Sequence, residues 1–292
     1  MMDFSPLIIG AMRLGSWGVG FDTKNFHFFI KECIDLGLNT FDHADIYGDY
    51  TTEADFGQVL KKNPGLRDEV KLITKCGIKM ISTNRQHHQI KSYDLGAVHI
   101  KASVDNSLKA LGTDYIDLLL LHRPDYLMDP NELAEVFREL RKAGKVLNFG
   151  VSNFSSSQFD LLNRKYPLAT NQVEVSLLHR HAFDDGTLDQ CLDLGIAPMA
   201  WSPLGGGALF QKSEDESIGR IRNTSNQLCE KYSCQLDQLL YAWIVKHPSG
   251  IVPVVGTSNL DRIKRAKEAL EIRLSREDWY RLWSAASGTE VP

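Results

Sequence analysis

The sequence predicts an α/β fold: a parallel (β/α)8 barrel with extra helices late in the chain. Three observations carry this. Short apolar runs alternate with amphipathic helical stretches eight times along 292 residues, and alternation of that kind argues for parallel strands joined by helical crossovers. The run Tyr115-Ile116-Asp117-Leu118-Leu119-Leu120-Leu121 is nearly all apolar, as a strand covered on both faces must be. No G-x-G-x-x-G follows the first apolar run, since Gly15, Gly18 and Gly20 have the wrong spacing. That disfavours the rival doubly wound open sheet. No low-complexity linker divides the chain, so residues 1–292 are read as one domain.

Each element has its own local signal. Leu7-Ile8-Ile9 is the first strand, ending at Gly10-Ala11-Met12. Asp22 or Thr23 caps a helix with Phe26, Phe29, Ile30 and Cys33 on one stripe, and Gly37 closes it. Residues 38–41 make the second strand, 52–62 the second helix, and Val70-Lys71-Leu72-Ile73-Thr74 the third strand. A polar loop with Asn84, Gln86, His87, His88 and Gln89 follows. The third helix spans about 96–110, and the fourth strand is the leucine-rich run. Asp129, Pro130 and Glu132 start a helix that Gly144 stops. After the fifth strand, 146–151, Ser155 and Gln158 form a capping box. The sixth strand covers 170–173, then a helix runs over about 185–194 to Gly195. The seventh strand covers 196–201, and two helices follow at about 216–232 and 236–247. The eighth strand covers 251–255. Ser258 caps a helix to about Leu270, and Ser275 with Asp278 opens the last.

Composition excludes several function classes. Hydrophobic residues make up 43% and charged residues 24%, with a formal net charge of -4; no basic patch suggests a nucleic-acid partner. Cys33, Cys76, Cys191, Cys229 and Cys234 are scattered, with no C-x-x-C pair and no metal-ligand spacing, which fits free thiols in a reducing cytoplasm. The N-terminus Met1-Met2-Asp3-Phe4-Ser5-Pro6 lacks the pattern of a secretory signal. No apolar stretch reaches membrane-spanning length.

Function is read from the strand ends, which in a barrel face one mouth. The second strand delivers Asp42, with Tyr47 in the loop after it; the third delivers Lys75, and the fourth His122 and Arg123. The fifth gives Ser152 and Asn153, the sixth Gln172, the seventh Trp201 and Ser202, the eighth Gly256, Thr257 and Ser258. Taken singly, each has an ordinary explanation, such as a turn cap for Asp42 or a core position for Trp201. Together they compose an acid site. A free tyrosine titrates near ~10, too high for efficient proton donation around neutrality. A lysine ammonium beside Tyr47 stabilises the phenolate and should lower that value. Asp42 would hold Lys75 charged, and His122 would donate to the same carbonyl oxygen that Tyr47 protonates. No metal is expected. A nicotinamide cofactor would supply the missing hydride: Ser152, Asn153 and Gln172 suit its carboxamide and Trp201 its ring. Arg262, one turn into a helix, suits a 2′-phosphate, favouring NADPH over NADH.

The motifs Phe41-Asp42-His43-Ala44-Asp45-Ile46-Tyr47-Gly48, Thr74-Lys75, His122-Arg123-Pro124-Asp125, Gly150-Val151-Ser152-Asn153-Phe154, Asn171-Gln172-Val173-Glu174, Trp201-Ser202-Pro203-Leu204 and Gly256-Thr257-Ser258 resemble, in this order, the aldo-keto reductase superfamily. The resemblance covers nearly the whole chain and lies nearest the bacterial oxidoreductase branch. It implies a catalytic tetrad of Asp42, Tyr47, Lys75 and His122. It also implies an NADP(H) site using Met12, Ser152, Asn153, Gln172, Trp201, Ser202, Leu204, Gly256, Thr257, Ser258 and Arg262. Trp201 stands where the family usually stacks a tyrosine on the nicotinamide. The implied activity is reduction of aldehydes or ketones to alcohols by a monomeric cytoplasmic enzyme. A cofactor-binding sensor subunit and a Schiff-base aldolase using Lys75 are the alternatives. The 205–217 loop is short, which implies that a long cofactor-clamping loop is missing. Trp17, Ile78, Tyr126 and Phe154 are expected to line the substrate pocket.

Overall fold

The computed structural model describes residues 4–292, so the reading of Met1-Met2-Asp3 as part of a signal-free N-terminus lies outside the described residues. Among the described residues there are ten strands: β1 (Ile8–Gly10), β2 (Thr40–Asp42), β3 (Lys71–Cys76), β4 (Ile78–Lys79), β5 (Ser92–Tyr93), β6 (Leu118–Leu121), β7 (Phe149–Ser152), β8 (Asn171–Glu174), β9 (Met199–Trp201) and β10 (Val252–Val255). Eight of them form a closed barrel in the order β1-β10-β9-β8-β7-β6-β3-β2. This is the predicted (β/α)8 architecture. The other two, β4 and β5, pair as a separate antiparallel hairpin inside the stretch expected to be a polar loop.

The chain divides into two compact units. The first comprises Met1–Gln172 with Gly256–Leu260, the second Val173–Val255 with Asp261–Pro292. In the first, register sets which side chains share a level. Asp42 pairs with Ile73 across β2 and β3. Lys75 lies two residues further on, and with a period of two it projects to the same side as Ile73. Ser152 pairs with Gln172 across β7 and β8. The leucines of β6 are almost wholly buried, as the unbroken apolar run required.

The helix signals worked locally. The Asp22 side chain accepts from the Asn25 amide at the head of Thr23–Asp35. Asp129 with Pro130 opens Pro130–Lys142. Ser155 and Gln158 form the reciprocal capping box of Ser156–Asn163, and Ser275 caps Arg276–Ser287. The helix that Ser258 was expected to cap runs over Leu260–Glu268. At that turn the Asn259 amide donates to Thr257 Oγ1 at 3.2 Å.

Helix Thr52–Lys62 lies against Ala97–Leu111 with almost no gap. A Cβ at Gly57 would sit 2.0 Å from the carbonyl oxygen of Ala110, so only glycine allows the two backbones to come this close. In the second unit, Trp243 and Trp279 stack at 5.0 Å and 7°. Each indole N–H donates to the other residue's carbonyl, at 3.2 and 2.9 Å. This pins Leu236–Val245 to the C-terminal helix. Asp278 there accepts from Lys231, the Tyr232 hydroxyl and Ser275. Among the described residues, no helix is long and apolar enough to cross a membrane.

Candidate active site

The four expected catalytic residues meet within the first unit. Lys75 is the hub, with its side chain only 1% exposed. Its Nζ donates to Asp42 Oδ2 at 2.7 Å, to the His43 carbonyl oxygen at 2.8 Å and to the Tyr47 hydroxyl at 3.1 Å. An ammonium has three N–H groups, and all three are used. The second oxygen of Asp42 is held as well, accepting from Gln172 Nε2 at 3.1 Å. The His122 ring packs edge-on to Tyr47 with centroids 6.0 Å apart. Its amide donates to the Cys76 carbonyl oxygen at the end of β3, which fixes where β6 releases the imidazole.

The loop carrying Tyr47 has an unusual backbone. Gly48, Asp49 and Tyr50 are consecutive residues with φ near +60°, in a region that costs a non-glycine residue roughly 1–2 kcal/mol. The run is held from outside. The Tyr50 hydroxyl accepts the Met80 amide at 2.9 Å, and Asn84 Nδ2 donates to the Asp49 carbonyl oxygen at 2.9 Å. The Arg85 guanidinium lies 4.4 Å from the centre of the Tyr50 ring. Tyr47, Tyr50 and Met80 also pack around a small cluster of Ala44, Ile46 and Ile78. The excursion containing β4 and β5 therefore braces the turn that carries Tyr47.

Electrostatics differ from expectation in one respect. Lys75 does pull the Tyr47 phenol down, but burial pushes it up more strongly, and the net shift is upward. In the lysine itself, burial works against the charge, yet Asp42 and Tyr47 together hold the ammonium above its ordinary value. His122 falls well below its ordinary value, through burial and then the positive charges of Lys75 and Arg123. It is neutral at physiological pH, and its Nδ1 is buried with no partner among the described residues.

Of the expected cofactor residues, Ser152, Asn153 and Gln172 come together in the first unit. Ser152 Oγ donates to the Gln172 carbonyl oxygen at 2.8 Å, and Asn153 Nδ2 donates to Ser152 Oγ at 2.7 Å. Asn153 takes a left-handed φ of 60°, which asparagine tolerates, and its amide donates to the same carbonyl. Gln172 has a role the sequence did not suggest, since its side chain anchors Asp42. Met12, Gly256, Thr257 and Ser258 belong to this unit too. Trp201, Ser202, Leu204 and Arg262 belong to the second, where Ser202 has a φ of 50° just after β9. The expected short loop after Leu204 is a 3-10 turn, Gly205–Phe210.

Of the expected pocket residues, Trp17 lies 6.2 Å from Tyr47, ring centre to ring centre. Ile78 packs in the cluster against which Tyr47 lies. Tyr126 is 89% exposed and Phe154 only 2% exposed: the first projects from its loop into solvent and the second is core, so neither is established as a pocket wall. Sequence reasoning passed over a buried polar group beside Lys75. His43 has both ring nitrogens unpartnered among the described residues, and burial, then Lys75, pushes it down to about 3. Asp45 is raised well above the usual carboxylate range by burial and then by Glu53. Their adjacency to Asp42 and Tyr47 in the sequence was the available signal.

The sequence profile of the aldo/keto reductase family matches residues 6–286. The chain belongs to the aldo/keto reductase family. It is 44% identical to the uncharacterized oxidoreductase YcsN of Bacillus subtilis, over 100% of this chain and 97% of that protein. It is 40% identical to a 6-dehydroglucose reductase of Agrobacterium fabrum, over 99% and 97%. A crystal structure of an aldo/keto reductase from Klebsiella pneumoniae, in complex with NADP and acetate, superposes with a TM-score of 0.76. It shares 28% identity and covers 96% of this chain and 90% of that one. As an aldo/keto reductase the protein is an oxidoreductase of a family that typically uses a nicotinamide cofactor. The clustered amide and hydroxyl groups of Ser152, Asn153 and Gln172 suit a ligand bearing a carboxamide.

Proposed function

We propose that the protein is an NADP(H)-dependent reductase that converts aldehydes or ketones to alcohols, with Tyr47 as the general acid. The observation that carries this reading is the saturation of Lys75. Tyr47 accepts a hydrogen bond from the lysine, so the phenol's own hydrogen is left to be given away. When bound, the nicotinamide supplies hydride to the carbonyl carbon. The chain's residues handle the oxygen. Tyr47 keeps its proton until the oxygen gains charge, because burial holds its pKa up. Lys75 then stabilises the phenolate as it forms, an interaction stronger in the transition state than before it. Neutral His122 donates a second hydrogen bond to that oxygen. Asp42, fixed by Gln172, keeps the lysine charged. Ser152 and Asn153 would hold the carboxamide. Arg262 would meet the 2′-phosphate.

The Schiff-base alternative fares poorly. Such a lysine needs a lowered pKa, whereas Lys75 is raised and its three protons are committed. The substrate to try first is 6-dehydroglucose, a sugar aldehyde, because the Agrobacterium relative is named for reducing it. Loss of NADPH absorbance should be followed with that compound, methylglyoxal and 4-nitrobenzaldehyde. Turnover with at least one is expected. Tight NADPH binding with no turnover on any of them would overturn the reading in favour of a sensor role.

A further inference from the structure

Glu53 is a buried carboxylate, 6% exposed, to which the chemistry above gives no task. It sits in the first turn of Thr52–Lys62. It makes no ion pair among the described residues. Instead Thr74 Oγ1 donates to its Oε1 at 2.5 Å and Ser107 Oγ to its Oε2 at 2.9 Å. Burial raises its carboxyl to about 6, while the two hydroxyls, Arg85 and Lys75 pull the other way and Asp45 is its acidic neighbour. A charge held here opposes folding around neutrality, so a position serving packing alone would do better without it.

Its place in the chain suggests what it does. The left-handed run that carries Tyr47 leads directly into the helix bearing Glu53. Thr74 is the residue before Lys75 on β3. The Glu53–Thr74 hydrogen bond therefore ties the segment of the acid to the strand of its lysine, and Ser107 anchors both to Ala97–Leu111. The contact so governed is the longest of the three that Lys75 makes, at 3.1 Å, and the easiest to loosen. We propose that Glu53 is a positioning residue for Tyr47: through Thr74 it sets the distance between the phenol and the Lys75 ammonium. Only the kinetic arm of the test rests on the reductase reading.

The test uses Glu53→Gln and Thr74→Val in the full-length protein, the second removing the same tie without changing charge. Tyrosine labelled at Cζ gives an NMR resonance for Tyr47, assigned by its loss in Tyr47→Phe and followed on raising pH. In both variants Tyr47 should titrate higher than in the wild type, because the phenolate has lost part of its lysine. In parallel, kcat should fall about ten- to a hundredfold, as expected for a misplaced catalytic group, with KM and NADPH affinity within about twofold. The remaining charges around Tyr47, namely Lys75, Asp42 and Arg123, are the same in all variants. An unmoved Tyr47 in both would overturn the proposal. So would a downward shift in Glu53→Gln alone, the mark of simple charge removal. If the wild type reduces no carbonyl, the function falls, and the Tyr47 resonance still decides the role of Glu53.

Discussion

Replacing Asp42 by asparagine removes the only ionic partner that Lys75 has among the described residues. The two charges are 2.7 Å apart with side chains 1% and 3% exposed. At an effective dielectric of about 20, unit charges at that distance attract by about 6 kcal/mol before desolvation is counted. Deleting one partner of a buried pair costs about 3–5 kcal/mol. The folded variant has an escape, which is to shed the lysine proton. From an ordinary value of about 10.4, that costs about 4.6 kcal/mol around neutrality, which caps the penalty on the stranded charge itself. We therefore expect Asp42→Asn to lose about 3 to 4.6 kcal/mol in chemical denaturation near neutral pH. The pH dependence carries the sharper sign. In the wild type, Lys75 is raised in the folded state; its stabilisation is fully present below about pH 10 and is lost only as pH rises through the folded value. In the variant, burial pulls the lysine down, so the unfolded state binds the extra proton. Stability should then rise by up to about 1.4 kcal/mol per pH unit between about pH 7 and 10. A loss below about 1 kcal/mol, with a pH slope parallel to the wild type, would refute the claim that Asp42 holds the lysine charged.

Three other substitutions test separate parts of the structure. His43 is depressed to about 3, so its stabilisation is present above about pH 6.5 and is lost as pH falls toward that folded value, at up to about 1.4 kcal/mol per unit. His43→Leu should remove that part of the acid sensitivity in denaturation at about pH 5 and cost less than about 1 kcal/mol at neutrality, because both ring nitrogens are unpartnered. Gly57→Ala places a methyl 2.0 Å from the Ala110 carbonyl oxygen, and should cost about 3 kcal/mol or more as the two helices separate, read as a lower denaturant midpoint. Arg262→Ala should weaken NADPH binding about tenfold or more while leaving NADH nearly unchanged in parallel fluorescence titrations.

The barrel was legible because its signals are local and repeated. The β6 leucines, the Ser155–Gln158 box, and the Asp129–Pro130 and Ser275 starts each depend on residues close in sequence. The meeting of Asp42, Tyr47, Lys75 and His122 was legible because strand ends deliver Asp42, Lys75 and His122 in order, with Tyr47 a fixed step beyond. What failed depends on distant residues. The left-handed run from Gly48 to Tyr50 is held by Met80, Asn84 and Arg85, and only glycine among its members advertises that conformation. The β4–β5 hairpin has two-residue strands, too short to show a period. The direction of the Tyr47 shift follows from burial that no spacing reveals. Glu53 carries no signal of its own in the sequence, because Thr74 and Ser107, which enclose it, lie 21 and 54 residues away.

In the proposed reaction Tyr47 gives the proton while the rest of the site holds cofactor and charge. Tyr47→Phe tests it most directly, with NADPH affinity measured by fluorescence and single-turnover reduction of an accepted aldehyde measured beside it. NADPH binding should be unchanged, with a loss of about a hundred- to ten-thousandfold in the chemical step, the usual worth of a general acid. Turnover within a few-fold of the wild type would contradict it.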